Sequence, residues 1–301
     1  MAQNNNLYRA ISFDGSTVVS VLDATEMVQK IEQIHKPSAV VTAALGRLSI
    51  ASSLMGYNLK GKDESITLQI NGGGQTGTLL AVSDSSGNVK CYAHNYIVEL
   101  PMNSHGKLDV AGAVGTDGTL TVIKDLRLKE PYVSQVPLVS GEIAEDIASY
   151  FVVSEQTPTV CALGVLVAPD LSVICAGGYL LSLLPFASED VVSTIEKNIQ
   201  NILPVTGLLE KGFSPEKIAN ILLDGMNAEQ LDTAIVEYKC NCSRERTEQI
   251  LIALGKEELQ TLAKEQPITE VACHFCNNVY KFTSDDVLQL AINNGQWTVN
   301  N

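Results

Sequence analysis

Aromatic residues are scarce in this chain, at 5% of 301 positions with a single tryptophan. Single-stranded nucleic acid is held by bases stacking on clustered rings, and little is present to build such a surface. Cations are also in short supply: 20 Lys and Arg stand against 34 Asp and Glu, a formal net charge of −14. Contact with a phosphate backbone or an anionic membrane needs clustered Lys and Arg that displace counterions, so neither nucleic acid nor a membrane is expected as a partner. No His-Glu-x-x-His pair occurs, and His35, His94 and His105 have no serine or cysteine nucleophile signature beside them. Nothing therefore argues for a catalytic centre, and the chain is not expected to be an enzyme. The segment from Met1 to Tyr8 lacks the basic start and the apolar run of a signal peptide.

A long unbroken apolar run is missing too. From Val160 to Ala187 only Asp170 is charged, yet Ala168-Pro169-Asp170 and Gly177-Gly178 interrupt the stretch. The pieces are shorter than the roughly 20 residues a spanning helix needs, and they read as two buried strands. A cytoplasmic protein is expected. In that compartment thiols stay reduced, and clustered cysteines serve metal or redox chemistry.

What the sequence does have is a 45% hydrophobic content, enough for a sizeable core. Leu7–Phe13 and Thr17–Leu22 flank Asp14-Gly15, a hairpin signal. Helices fit from Thr25 to His35 and from Pro37 to Tyr57, the latter with small residues through its middle. Strands fit at Ile66–Ile70, Thr78–Val82, Val89–Tyr96 and Leu120–Ile123, the last led by a second Asp-Gly hairpin at Asp117-Gly118. A short helix follows at Glu142–Tyr150. Mixed order with several hairpins predicts an α+β fold rather than a parallel βαβ sheet. The core is expected over 1–178 as a mixed sheet-and-helix domain. Gly72-x-Gly74-x-x-Gly77 matches the letters of a dinucleotide fingerprint, but Thr78–Val82 reads as a strand where that motif requires a helix, so a glycine-rich connection is expected.

After Gly178 the pattern changes to short amphipathic helices. One begins at Ser188 and carries Val191, Val192, Ile195, Ile199, Ile202 and Leu203 on one side. Another begins at Ser214-Pro215-Glu216 with a capping serine and a first-turn proline. Residues 179–232 are expected to be a helical linker whose apolar faces need something to pack against.

Four of the seven cysteines form two close pairs, Cys240-x-Cys242 and Cys273-x-x-Cys276. Two such pairs supply the four sulfur ligands of a tetrahedral zinc site, which predicts a zinc-binding module over 233–301. This module is itself acidic, with five Lys/Arg against eight Asp/Glu from Cys240 onward. Spacing alone leaves open whether zinc is a structural staple or part of a switch. Lys239, Arg244 and Arg246 flank the first pair, where positive charge would favour reactive thiolates, and either close pair could form a disulfide. His274, between the second pair, is expected to be exposed or outside the ligand set. Cys91, Cys161 and Cys175 lie in apolar strand contexts and are expected to be buried. Other readings of the paired cysteines are a zinc-stapled module that binds RNA or protein, disfavoured for RNA by the acidity, and a thiol oxidoreductase. The latter would place Cys-x-x-Cys at a helix start near the beginning of a βαβ unit, not before Val279-Tyr280-Lys281-Phe282.

The segments Tyr238-Lys-Cys-Asn-Cys-Ser-Arg-Glu-Arg246 and Cys273-His-Phe-Cys-Asn-Asn-Val-Tyr-Lys-Phe282 closely resemble the redox-switch module of the 33-kDa heat-shock chaperone family. Ser140–Tyr150, Ser154–Pro158 and Gly115–Asp125 resemble that family's core segments, while Leu126-Arg127-Leu128 and Ser134-Gln135 depart from its glycine-bearing turns. The resemblance implies an ATP-independent holdase that is inactive when reduced, with one zinc ion held by Cys240, Cys242, Cys273 and Cys276. It further implies that oxidation pairs Cys240 with Cys242 and Cys273 with Cys276 and releases zinc. The module and linker then unfold, and apolar surface becomes available to unfolding client proteins. Homodimers of the activated form are implied as well.

Overall fold

The computed structural model of the chain describes residues 6–297. Met1–Asn5, the beginning of the stretch read for a targeting signal, and 298–301, the end of the expected zinc module, lie outside the described residues. The elements begin with β1 (Leu7–Ile11), β2 (Thr17–Asp23), α1 (Thr25–His35), α2 (Ala39–Gly56), β3 (Ser65–Asn71), β4 (Leu79–Asp84) and β5 (Val89–Ala93). They continue through α3 (Val110–Val114), β6 (Thr119–Asp125), β7 (Tyr132–Pro137), α4 (Ala144–Val153), β8 (Thr159–Val167) and β9 (Val173–Leu183). Next come α5 (Glu189–Gln200), α6 (Val205–Glu210), α7 (Pro215–Leu222) and β10 (Glu229–Ala234). The last are α8 (Arg244–Ile252), α9 (Lys256–Glu265), β11 (Ile268–Ala272), β12 (Val279–Thr283) and α10 (Ser284–Trp297). The expected α+β class is what forms.

Two compact units divide between Lys239 and Cys240. The first holds two five-stranded antiparallel sheets, in the orders β10-β1-β2-β9-β8 and β5-β4-β3-β6-β7. In the second sheet, inward residues alternate with outward ones: Ile66, Leu68 and Ile70 on β3 and Leu120 and Val122 on β6 are buried. That is the period of a sheet with one face in the core. The core between the sheets is built around α2, which is buried along almost its whole length. This helix has the length and apolarity to cross a membrane, but 89% of it is buried inside the protein, as a core helix must be. Its small residues let strands approach: a Cβ on Gly46 would stand 2.8 Å from Val165 Cγ2.

The apolar run from Val160 forms two strands as expected, β8 and β9, but β8, an edge strand, is half-buried along all of its length except Gly164. β9 is buried continuously from Cys175 to Leu181 because the first sheet is covered on both faces. One face meets α1 and α2. The other presents Tyr8, Ala10, Val19, Val21, Tyr179 and Leu181 to α5, α6 and α7, which contribute Ile195, Val205, Leu208, Ile218 and Leu222. The amphipathic helices thus find the surface their sequence demands. The starts at Ser188 and Ser214 are true caps, each hydroxyl accepting a backbone N–H three residues on.

Several expectations are redrawn by the packing. Gly177-Gly178 does not end the core; it lies in the middle of β9, and β10 joins the same sheet beyond residue 228. A Cβ on Gly178 would lie 2.7 Å from the Ala162 carbonyl oxygen and 2.9 Å from Ile50 Cγ2, so α2 can approach only over glycine. The region 179–232 is therefore packed within the first compact unit, and treating it as a separate linker is a matter of its behaviour on oxidation. Asp117-Gly118 does not join two strands, because α3 precedes it; Gly118 is needed where a Cβ would meet the Asn71 carbonyl oxygen. The strand at Val89 stops at Ala93, and Ser134-Gln135 lies inside β7. At Leu126–Leu128 the missing glycine is replaced by Arg127 at φ 58°, secured by its Nε–H donating to the Asp63 carbonyl at 2.6 Å. The segment Gly72–Gly77 connects β3 to β4, with Gly74 and Thr76 N–H groups donating to the Val114 and Ala113 carbonyls. No helix follows it, so the dinucleotide reading fails as expected.

The family-like segment at Ser140–Tyr150 has a physical reason. Asp146 is fully buried, and its carboxylate accepts N–H groups from Val139 (2.7 Å), Ser140 (3.0 Å) and Ile143 (2.9 Å), wrapping the loop around the start of α4. Replacing Gly178 by alanine is expected to lower stability by about 1–3 kcal/mol in urea unfolding, since a core contact must shift. Gly207→Ala, in α6, should be neutral or stabilising, because its Cβ would meet only Leu203 Cβ at 3.9 Å.

Candidate metal centre

The second compact unit, from Cys240 onward, pairs β11 with β12 in an antiparallel ribbon and packs α8, α9 and α10 around a small core. That core comprises Leu251, Leu259, Ala263, Phe282, Val287 and Ala291. The first cysteine pair lies in the extended segment before α8, whose start is fixed by Ser243 Oγ accepting the Arg246 N–H at 3.2 Å. The second pair occupies the turn between β11 and β12. There Cys273 N–H donates to the Asn278 carbonyl at 2.8 Å and Asn277 N–H to the Cys273 carbonyl at 2.8 Å, with Asn277 at φ 59°.

These two segments bring all four sulfurs within 4.8 Å of one another. Cys240 and Cys273 stand 3.6 Å apart, and Cys242 and Cys276 3.3 Å. Sulfurs bound tetrahedrally at about 2.3 Å from one ion would be separated by roughly 3.8 Å, so the donor set fits a single metal ion of thiolate-preferring character. Both of these approaches run across the pairs. With all separations short, the cluster does not by itself select a disulfide partner for any sulfur.

The cations expected to activate the first pair are engaged elsewhere. Lys239 is paired with Glu237 at 3.9 Å, and Arg246 donates to the Asn241 carbonyl at 3.0 Å. Arg244 lies 4.3 Å over the Phe282 ring and forms ion pairs with Glu248 and Asp286. The group that acts on a thiol is one the sequence reading passed over. Burial pushes the Cys242 thiol up, but the Tyr280 hydroxyl donating to it at 3.2 Å and the neighbouring thiols outweigh this and bring it down to about 7. Cys240 and Cys276 move upward, burial being the first cause for each. Alternation along Val279–Phe282 could have pointed to Tyr280, because it shares a face with the buried Phe282.

The remaining sites fall as expected except Cys161, which is half-buried in the edge strand β8 rather than buried. His274 is exposed. Cys91 and Cys175 are buried and Cys161 is half-buried; desolvation raises all three thiols, Cys91 to about 12, which leaves them unreactive. Arg244→Ala should weaken the C-terminal unit by about 1 kcal/mol or more in chemical denaturation, through loss of the ring contact and the forked ion pair. Arg244→Lys should restore less than half of that, since an ammonium cannot span both carboxylates while stacking.

Residues 5–283 match the family described as Hsp33 protein. The chain is 47% identical over 284 residues to the 33 kDa chaperonin of Acetivibrio thermocellus, covering 94% of this chain and 96% of that one. It is 43% identical over 289 residues to the 33 kDa chaperonin of Clostridium beijerinckii, covering 96% and 99%. The crystal structure of the 33 kDa chaperonin of Thermotoga maritima is similar at a TM-score of 0.87 and 37% identity, covering 99% of this chain and 100% of that one. These likenesses take in both sheets, the covering helices and all four clustered cysteines, and on them the chain belongs to the Hsp33 family of non-enzymatic chaperones.

Proposed function

We propose that this chaperone is a redox-regulated, ATP-independent holdase of the cytoplasm, inactive while reduced and zinc-bound. The observation that carries the reading is the four-sulfur cluster in a unit whose buried apolar cluster, among the described residues, holds six side chains. A bound zinc ion would cross-link the segment before α8 to the β11–β12 turn. Cys240, Cys242, Cys273 and Cys276 are its ligands in this reading. Structural zinc sites contribute on the order of 10–16 kcal/mol of apparent binding free energy, against net stabilities of about 5–15 kcal/mol for whole domains. Losing the ligands is therefore enough to unfold the unit.

Pairing Cys240 with Cys242 and Cys273 with Cys276 withdraws all four thiolates at once. The likeness to the family favours this pairing, and the sulfurs are close enough to reach it with local movement. The client surface is taken to be the outer face of the first sheet, with Tyr8, Val19, Val21, Tyr179 and Leu181 under α5–α7. The cover is thin: α5 buries only Ile195, and β10 is an edge strand with Glu229–Leu231 exposed. Such elements lie at the low end of local stability. Unmasked, the face offers the contiguous apolar area that unfolding clients require, and the charge of −14 helps keep the opened chain in solution. Activated chains are proposed to form homodimers. The same acidity disfavours nucleic acid and anionic membranes as partners.

Zinc content and suppression of client aggregation should be measured on one sample before and after peroxide at heat-shock temperature. One zinc per chain lost together with a gain of holdase activity is expected. Zinc retained, or equal activity in the reduced form, would reduce the four cysteines to a structural staple. Hydrogen exchange on the same samples should show 179–232 becoming labile on oxidation while 6–178 stays protected; uniform protection would remove the linker from the mechanism.

A further inference from the structure

Tyr280 stands between the small core and the sulfur cluster. It pairs with Val271 across the ribbon, and both side chains, half-buried, pack against the small core that holds Phe282. Strand alternation places it on the face of the fully buried Phe282, so its direction is fixed by the core. Its hydroxyl reaches Cys242 Sγ at 3.2 Å as the donor. Cys240 and Cys276 each face a thiol of the other pair, Cys273 and Cys242 respectively. The contact to Cys242 is different in kind: a side chain, anchored in the hydrophobic core, spends its only proton on one sulfur.

A hydrogen bond donated to a thiolate is charge-assisted, and it draws on the lone-pair density that the sulfur would use as a nucleophile. It also occupies one direction of approach. We infer that Tyr280 shields Cys242 from electrophiles, so that peroxide enters the cluster at another sulfur and Cys242 reacts late. The inference rests on the metal-thiolate reading above and adds a residue that sets the order of reaction. The chemistry balances without further reagents. A thiolate attacks one peroxide oxygen, the O–O bond breaks, and hydroxide leaves with a sulfenic acid formed on the sulfur. A second thiolate then attacks that sulfur, the S–S bond forms and a second hydroxide departs, so two thiolates reduce one peroxide. Tyr280 decides which thiolates are available for the first attack. It is a positioning residue and is not itself consumed.

The test uses the full chain, reduced and zinc-loaded, treated briefly with N-ethylmaleimide; labelling rates at each cysteine are read by peptide mass spectrometry. Tyr280→Phe removes one oxygen and keeps the ring. It should raise the rate at Cys242 about three- to tenfold, while Cys273 stays within a factor of about two and zinc stoichiometry is unchanged. Val271→Ala, which loosens the same core without touching the hydroxyl, should not single out Cys242. An unchanged rate at Cys242, or all four rates rising together in Tyr280→Phe, would overturn the inference and leave Tyr280 as packing. Zinc lost from the variant but kept by the parent would also overturn it, assigning the hydroxyl to metal retention. A parent chain that binds no zinc would overturn the metal reading and this inference with it.

Discussion

The first sheet must be covered on both faces, and much of the molecule follows from that requirement. Its strands carry apolar residues inward and outward alike, so a single layer of helices would leave Tyr8, Val19, Val21, Tyr179 and Leu181 in water. The inner face is closed by α2, a helix with so many small residues that strands from two sheets settle against it. The outer face is closed by three short helices, none of which has a second apolar face of its own. In the proposed function, the doubly apolar sheet with its slighter outer cover would be the apolar surface that is hidden until wanted.

A different economy holds in the C-terminal unit. Among the described residues its buried apolar cluster holds six side chains, two of them alanines, which is few for a segment of this length. Four sulfurs brought within 4.8 Å would be a liability without a shared ligand, because thiols make weak hydrogen bonds and like-charged thiolates repel. Their convergence is explained if a cation holds them. The rest of the unit is arranged around that point: Ser243 starts α8 immediately after the first pair, the β11–β12 turn carries the second, and Arg244 ties the start of α8 to β12 and α10 through Phe282, Lys281 and Asp286. The basic residues that look in sequence like activators of the thiols serve this local architecture instead.

The legibility of the fold varied with the kind of signal. Hairpin chemistry at Asp14-Gly15 and helix starts at Ser188 and Ser214 are short-range and act through their own backbone neighbours, so the residues alone announce them. Elements whose existence depends on distant partners were silent: β10 is mostly polar and is a strand only because β1 lies beside it, and β7 pairs with β6 with Tyr132 and Val133 left exposed. Glycine carried opposite meanings that local sequence cannot separate. At Gly255, φ 92° makes the turn between α8 and α9, whereas Gly177 and Gly178 mark close packing inside a strand.

The sequence by itself determined the α+β class, the soft four-sulfur donor set and the need of 179–232 for an apolar partner. Each is a matter of residue type and period, which survive without coordinates. Only the tertiary structure decided that the partner is the outer face of the first sheet, that the compact units part after Lys239, and that Cys242 receives the Tyr280 hydroxyl. Those three facts join residues dozens to hundreds of positions apart, and their distances are set by sheet order and strand register, which no local pattern encodes.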